Sequence, residues 1–142
     1  MLNEIRIAGL KVLEGYLEPA LVSGPPVERL LALTESYLNF AVEQPKYFDF
    51  AFLVPDPDIE RFADEIARPA WDTFRVSVDQ IKACVDAGVF ADEDPLETAI
   101  VLWAEAHGLV TLFRTGRFGP DPEAFRQIYR KCIQRLLDGL RK

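Results

Sequence analysis

Asp94-Pro95-Leu96-Glu97-Thr98-Ala99-Ile100-Val101-Leu102-Trp103-Ala104-Glu105-Ala106-His107-Gly108-Leu109-Val110 decides how this chain folds. Its opening is a helix start. The Asp94 carboxylate can accept a hydrogen bond from a free first-turn amide. Pro95 suits the first helical position, where an N–H would be unsatisfied anyway, and Glu97 completes a capping-box spacing. A long apolar helix follows, reaching about Thr115 and carrying Trp103, His107 and Gly108 a helical turn apart. His107 is the only histidine in the chain.

Proline and glycine divide the rest into helical blocks. Downstream, Gly116-Arg117-Phe118-Gly119-Pro120 breaks the chain and Asp121-Pro122-Glu123 starts a last helix. Its apolar positions are Phe125, Ile128, Tyr129, Cys132, Ile133, Leu136, Leu137 and Leu140. Upstream, Gly88 ends a long helix, with Val89 placed for the apolar contact that accompanies a glycine C-cap. That helix is expected to start after Pro55-Asp56-Pro57-Asp58, with Asp56 as cap, and to run through Ile59, Phe62, Ile66, Ala70, Phe74, Ile81 and Cys84. Pro69 lies inside it and should bend it.

Before the turn, Lys46-Tyr47-Phe48-Asp49-Phe50-Ala51-Phe52-Leu53-Val54 is ambiguous by periodicity. It is read as a short helix because no second strand exists to pair with it. Ser23-Gly24-Pro25-Pro26-Val27-Glu28 starts a helix that Pro45 ends after Gln44. The first block, about Leu2 to Val22, is kinked or ended by Pro19. It begins without a cap or leader, which suggests a chain cut from something longer. The expectation is an all-α fold of about six helices in one domain spanning 1–142.

Composition narrows the function classes. Hydrophobic residues make up 49% of 142, enough for a packed core. No apolar run approaches the roughly 20 residues a membrane helix needs, because charges interrupt every helix candidate, and no secretory leader is visible. A soluble, cytoplasmic protein without membrane contact is expected. The net charge of -7, from 16 basic and 23 acidic residues, repels phosphate backbones, so this chain itself should not contact nucleic acid. Arg126, Arg130, Lys131, Arg135, Arg141 and Lys142 cluster on the last helix, where they favour its negative end and water. Cys84 and Cys132 have no CxxC partners and read as reduced, buried small hydrophobes.

Enzymatic constellations are scarce. A single histidine cannot build a multi-histidine metal site, and no Gly-rich phosphate loop, HExxH or GxSxG occurs. Asp92, Glu93 and Asp94 read as a solvated loop with one capping member in preference to a cation site. No cofactor and no metal are expected. The aromatic bias is more telling. Tyr37, Phe40, Tyr47, Phe48, Phe50 and Phe52 place six rings in sixteen residues, where the chain average of 11% gives about two. Such rings either fill a core or line a small-molecule pocket, with Trp71 and Phe74 as an opposite wall. His107 is either a hydrogen-bonded core or interface residue or a ligand contact. Gly108 costs roughly 1 kcal/mol against alanine inside a helix, and close approach of another helix would offset it. Val101, Ala104, Gly108 and Leu112 form a stripe suited to a symmetry mate. The last helix carries more apolar surface than one neighbouring helix covers, which points to a second chain.

These marks in sequence order resemble the C-terminal half of tetracycline-repressor (TetR) family transcription regulators. They are Tyr37-Leu38-Asn39-Phe40-Ala41-Val42-Glu43-Gln44-Pro45, the aromatic short helix, Val85-Asp86-Ala87-Gly88-Val89-Phe90, Asp92-Glu93-Asp94-Pro95 and the Trp103, His107, Gly108 trio. The trio resembles a subgroup with a tryptophan-histidine-glycine signature. The resemblance implies a domain that senses a small hydrophobic or aromatic effector and forms a homodimer, with DNA contacted by an N-terminal helix-turn-helix head absent here. Tyr37, Phe40, Tyr47, Phe48, Phe52, Trp71, Phe74, Trp103 and His107 become the expected ligand contacts. Val101, Ala104, Gly108, Leu112, Phe125, Tyr129, Ile133, Leu136, Leu137 and Leu140 become the expected dimer interface. A headless interaction module is the first rival. A small helical enzyme with His107 as base is the second, weakened because Glu105 faces elsewhere on the helix.

Overall fold

The computed structural model describes residues 2–22, 24–53, 61, 68 and 71–142. The turn at Pro55-Asp56-Pro57-Asp58, the helix start through Ala70 and the expected bend at Pro69 lie outside the described residues. Among those described, six α-helices build the molecule and there is no sheet, only an antiparallel bridge between Phe90 and Arg141. The all-α expectation holds.

Helix α1 (Leu2–Leu17) buries Leu10, Leu13 and Leu17. Pro19 does not stop the chain at once. It sits at the start of a tighter 3₁₀ turn, Glu18–Leu21, which continues the path to Val22. Helix α2 (Pro26–Glu43) is central and packs against every other helix except through the outer faces. Its buried residues, Leu30, Leu33, Thr34, Tyr37, Leu38, Phe40 and Ala41, spread around most of its circumference for that reason. Pro45 opens the short α3 (Pro45–Phe48), which runs into a wide π-helical turn, Asp49–Leu53. Arg114 pairs with Asp49 and lies over the Phe48 ring at 5.6 Å, fastening this turn to the far end of the Trp103 helix.

Glycine ends α4 (Asp72–Asp86) as the sequence indicates. Gly88 takes φ +75°, its N–H bonds Val85 C=O, and Val89 N–H reaches back to Cys84 C=O at 3.0 Å. This is a Schellman closure with Val89 packed on the core. Gly116, at φ +86°, closes α5 (Pro95–Arg114) the same way, through Phe113 and Leu112 carbonyls. The caps also hold: Asp94 Oδ1 accepts from Leu96 N–H at 3.1 Å, and Asp121 Oδ1 accepts from Glu123 N–H at 3.0 Å to start α6 (Pro122–Leu140).

Two expectations need correction. The broad apolar face of α6 is covered by its own subunit. Phe125, Tyr129, Ile133 and Leu137 are at most 1% exposed, inside the groove between α2 and α5. Phe125 stacks on Phe113 with centroids 4.4 Å apart, Phe118 closes over it, and Tyr129 O–H donates to Thr34 C=O at 2.6 Å. These four cannot serve a dimer interface, because loops and two helices together cover what a single neighbour would not. Secondly, Pro95–Arg114 is, by length and a mean hydropathy of 1.3, apolar enough to cross a membrane, although only 28% of that window is buried inside the subunit. Core helices of globular proteins reach the same hydropathy, and α5 packs on α2, α4 and α6.

Cys84 is fully buried and Cys132 half-buried, both free. The basic cluster is partly spent internally, since Arg130 forks onto Glu35 and Arg126 donates to Asn39.

Gly9 is where α1 meets α3. A Cβ there would lie 2.8 Å from the Tyr47 carbonyl oxygen and 3.3 Å from Ala51 Cβ, whereas one at Gly15 would meet nothing within 4 Å. Gly9→Ala should therefore destabilise the fold by about 1–3 kcal/mol through overpacking against backbone. Gly15→Ala should stabilise it by roughly 0.4–1 kcal/mol. Urea unfolding of the two variants reads both signs.

Candidate functional site

The site follows from where α2 and α5 place their rings. Tyr37 from α2, Phe52 from the π turn, Trp71 and Phe74 at the start of α4, and Trp103 from α5 converge around a cavity of about 70 Å³. The rings meet edge-on: Trp71 and Trp103 at 5.7 Å, Phe52 and Trp71 at 5.8 Å, Phe74 and Trp103 at 5.9 Å. Edge-to-face contacts between large rings leave irregular space that flat stacking would close.

The expected ligand contacts all lie between Tyr37 and His107, and one wall is missing from them. Leu13 and Leu17 of α1 also line the cavity, with Leu30 and Leu33 of α2 and Ala99, Leu102 and Ala106 of α5. Their helical spacing marks these residues as apolar, but nothing in spacing separates a cavity wall from a solid core. Thr34, Thr73 and Ser77 add hydroxyls.

Four of the nine expected ligand contacts do not line the cavity. Phe40 and Phe48 are 0% exposed and stand behind Tyr37 and Phe52, in ring contact with them or each other. Tyr47 is 39% exposed on the outer side of α3. His107 forms the layer behind the wall. Its ring stacks on Phe48 at 5.5 Å, and its Nδ1 lies 2.9 Å from the Tyr37 hydroxyl.

That contact belongs to a cluster of three groups. The Trp103 indole lies beside the same phenol, where its polar N–H opposes part of the effect of burial. The hydroxyl donates to Nδ1 in one imidazole tautomer and accepts from Nδ1–H in the other. Burial drives Tyr37 well above the ordinary phenol range, with Trp103 offsetting part of this, so the phenol keeps its proton. Burial also holds His107 below its ordinary value of 6.5, so the imidazole is neutral at pH 7.

Catalytic chemistry finds little here. Among the described residues no group of three or more His, Cys, Asp or Glu could hold a metal ion. His107 Nδ1 is committed to a phenol that does not ionise.

On the other face of α5, Val101 is 51% and Leu112 43% exposed, with Ala104 exposed and Gly108 half-buried in the same stripe. A Cβ at Gly108 would meet nothing within 4 Å, so no approach inside the subunit requires the glycine. Leu136 and Leu140 of α6 are partly buried.

Residues 30–136 match the family model described as the tetracyclin repressor-like C-terminal domain. The chain belongs to that family. Domains of this TetR-type family are regulatory and generally dimeric and ligand-binding. A solved structure, of a protein with unknown function from Rhodococcus sp. RHA1, is similar with a TM-score of 0.77 at 20% identity. The match covers 99% of this chain and 72% of that one, and it shows the shared TetR-type fold. No curated protein matches the sequence.

The buried histidine gives this TetR-type domain a testable pH response. With the folded value below the unfolded 6.5, the unfolded chain binds more protons in that interval. The contribution is fully present above about pH 6.5 and is lost as pH falls toward the lowered value. Denaturant melts from pH 7.5 downward should show wild type losing stability faster than His107→Phe across this window. Parallel curves would show that His107 keeps its ordinary titration.

Proposed function

We propose that this domain is the effector-sensing and homodimerising part of a cytoplasmic TetR-type regulator, a repressor, whose DNA-reading head is a separate N-terminal domain. One observation carries the reading: five rings and two α1 leucines line apolar space between helices of a regulatory fold. The cavity is small. An apolar cavity of about 150 Å³ accepts benzene, roughly twice the 70 Å³ present. The space is half open, so a one-ring ligand would fill it and extend past its mouth. A ligand that fits one arrangement of the helices better than another would shift their balance, which is what coupling to a remote head requires.

Both tryptophans of the chain line the cavity, so intrinsic fluorescence reports occupancy directly. Titration with 1-bromonaphthalene, an apolar heavy-atom quencher, should quench emission saturably in wild type. Trp103→Leu should weaken binding, and linear, non-saturating quenching would count against a ligand pocket.

Dimerisation is expected through the α5 stripe and the outer edge of α6, a C2 pairing of Val101, Ala104, Gly108 and Leu112 with Leu136, Leu140 and the exposed Ile128. The low burial of α5 inside the subunit and the unexplained Gly108 support this face. Light scattering at micromolar concentration should give twice the 16.1 kDa chain mass. Val101→Glu with Leu112→Glu should return the mass of one chain with helicity intact, since neither residue is in the core.

A further inference from the structure

We propose that in the homodimer each Glu105 is met by Arg135 of the second copy, so that α5 of one subunit lies along α6 of the other; this rests on the homodimer reading above. Glu105 interrupts an otherwise apolar stripe. It stands four residues after Val101 and seven before Leu112, on the face of α5 where both are exposed. Burial pushes its carboxyl up from the ordinary range, and among the described residues it has neither a hydrogen bond nor an ion pair. A second chain laid on this face would strip the remaining water from the carboxylate, which favours a covering surface that brings a cation.

Helix α6 holds one at the right place. Arg126 and Arg130 are spent on Glu35, and Arg141 on Asp138. Arg135 is exposed and has no partner among the described residues. It follows Ile128 by seven residues, on the edge that carries Ile128, Cys132 and Leu136. Lys131 lies about 60° round the helix from Ile128, against about 20° for Arg135, and so points further from that edge. The height agrees as well. Helices α5 and α6 run antiparallel with Phe113 stacked on Phe125. Eight residues back along α5 is Glu105 and eight forward along α6 is Ile133, which leaves Arg135 about 3 Å further on.

Two copies can meet face to face on this surface in two ways. A two-fold axis across the helices lays α5 on its own copy, with both Glu105 carboxylates in one contact and both Arg135 guanidiniums in another. An axis along the helices keeps every residue at its own height and sets α5 on the partner's α6, with Glu105 level with the partner's Arg135. The second way joins opposite charges twice, and like charges facing across an interface are strongly disfavoured.

Sedimentation equilibrium of the full chain reads the dimer dissociation constant, with far-ultraviolet circular dichroism checking helicity. Glu105→Arg and Arg135→Glu should each weaken the dimer at least about tenfold, and the double variant should return to within about threefold of wild type. Native mass spectrometry of the two single variants mixed should show mainly the mixed dimer, both of whose contacts then join opposite charges. A statistical mixture overturns pairing between copies. Glu105→Arg mixed with wild type should stay statistical, and a strong preference for that mixed dimer overturns the arrangement by setting Glu105 against its own copy. Arg135 is exposed, so Arg135→Glu keeps the fold, and unchanged dimerisation in it overturns the pair while the homodimer stands. A monomeric wild type fells the homodimer reading and the inference together.

Discussion

The hydrogen bond between the Tyr37 hydroxyl and the His107 imidazole, with the Trp103 ring against that imidazole, is the contact from which the rest of the structure takes its register. Two polar groups from α2 and α5 meet in apolar surroundings where water does not reach them freely. Each would cost about 1–3 kcal/mol if left unpaired there, so the helices are held where both are satisfied. Trp103 and His107 are four residues apart on one face of α5. Holding His107 on the phenol, with Trp103 packed beside it, sets the rotation of α5 about its axis, and a shift of one residue would break that bond. That rotation puts Leu102, Trp103 and Ala106 on the cavity and leaves Val101, Ala104 and Leu112 outward. The cavity face and the proposed pairing face are thus two consequences of one rotation of α5.

The tie is neutral, and that matters. A charged imidazole beside the phenol would need a buried counter-ion, and none is among its described hydrogen-bond or ring partners. With burial keeping the ring uncharged, stacking on Phe48 and the contact with Trp103 cost no ionic desolvation. Charged pairs are instead kept at the periphery, as with Arg130 and Glu35 between α6 and α2, or Arg114 and Asp49 beside the π turn. Exposed pairs of this kind add little stability each. Their use here is to orient elements whose cohesion comes from the core.

Much of this was legible in the chain because its local rules agree. Asp94-Pro95, Asp121-Pro122, Gly88 and Gly116 fix where helices begin and end through backbone hydrogen bonds that need no distant partner. Membership of the TetR-type family was likewise readable from the order of such marks. Burial was less readable. The apolar face of α6 announces itself by period, but the period does not say who covers it. Phe113 and Phe118 do so from the end of α5 and the loop beyond it. The rings between Tyr37 and Phe52 split in the same manner. Phe48 and Phe52 are one α-turn apart, yet the π turn beginning at Asp49 widens the step, leaving Phe48 against His107 and Phe52 on the cavity. No side-chain pattern marks a π turn in advance.

Where the walls can yield follows from which of them are tied. The α2–α5 wall is pinned by the Tyr37–His107 bond, and α6 braces α2 from behind through Tyr129 and Thr34. The opposing wall comes from Leu13 and Leu17 of α1 and from Phe52 in the π turn. These segments meet at Gly9, whose missing Cβ leaves room for the Tyr47 carbonyl and the Ala51 methyl. Packed interiors move by discrete steps, with contacting groups travelling together. A ring that displaces Phe52 outward would press the 47–51 backbone on Gly9 and shift α1 as a unit, rigid along its 16 residues. The glycine that lets these segments close is then also the point through which a wedge in the cavity would move the first helix.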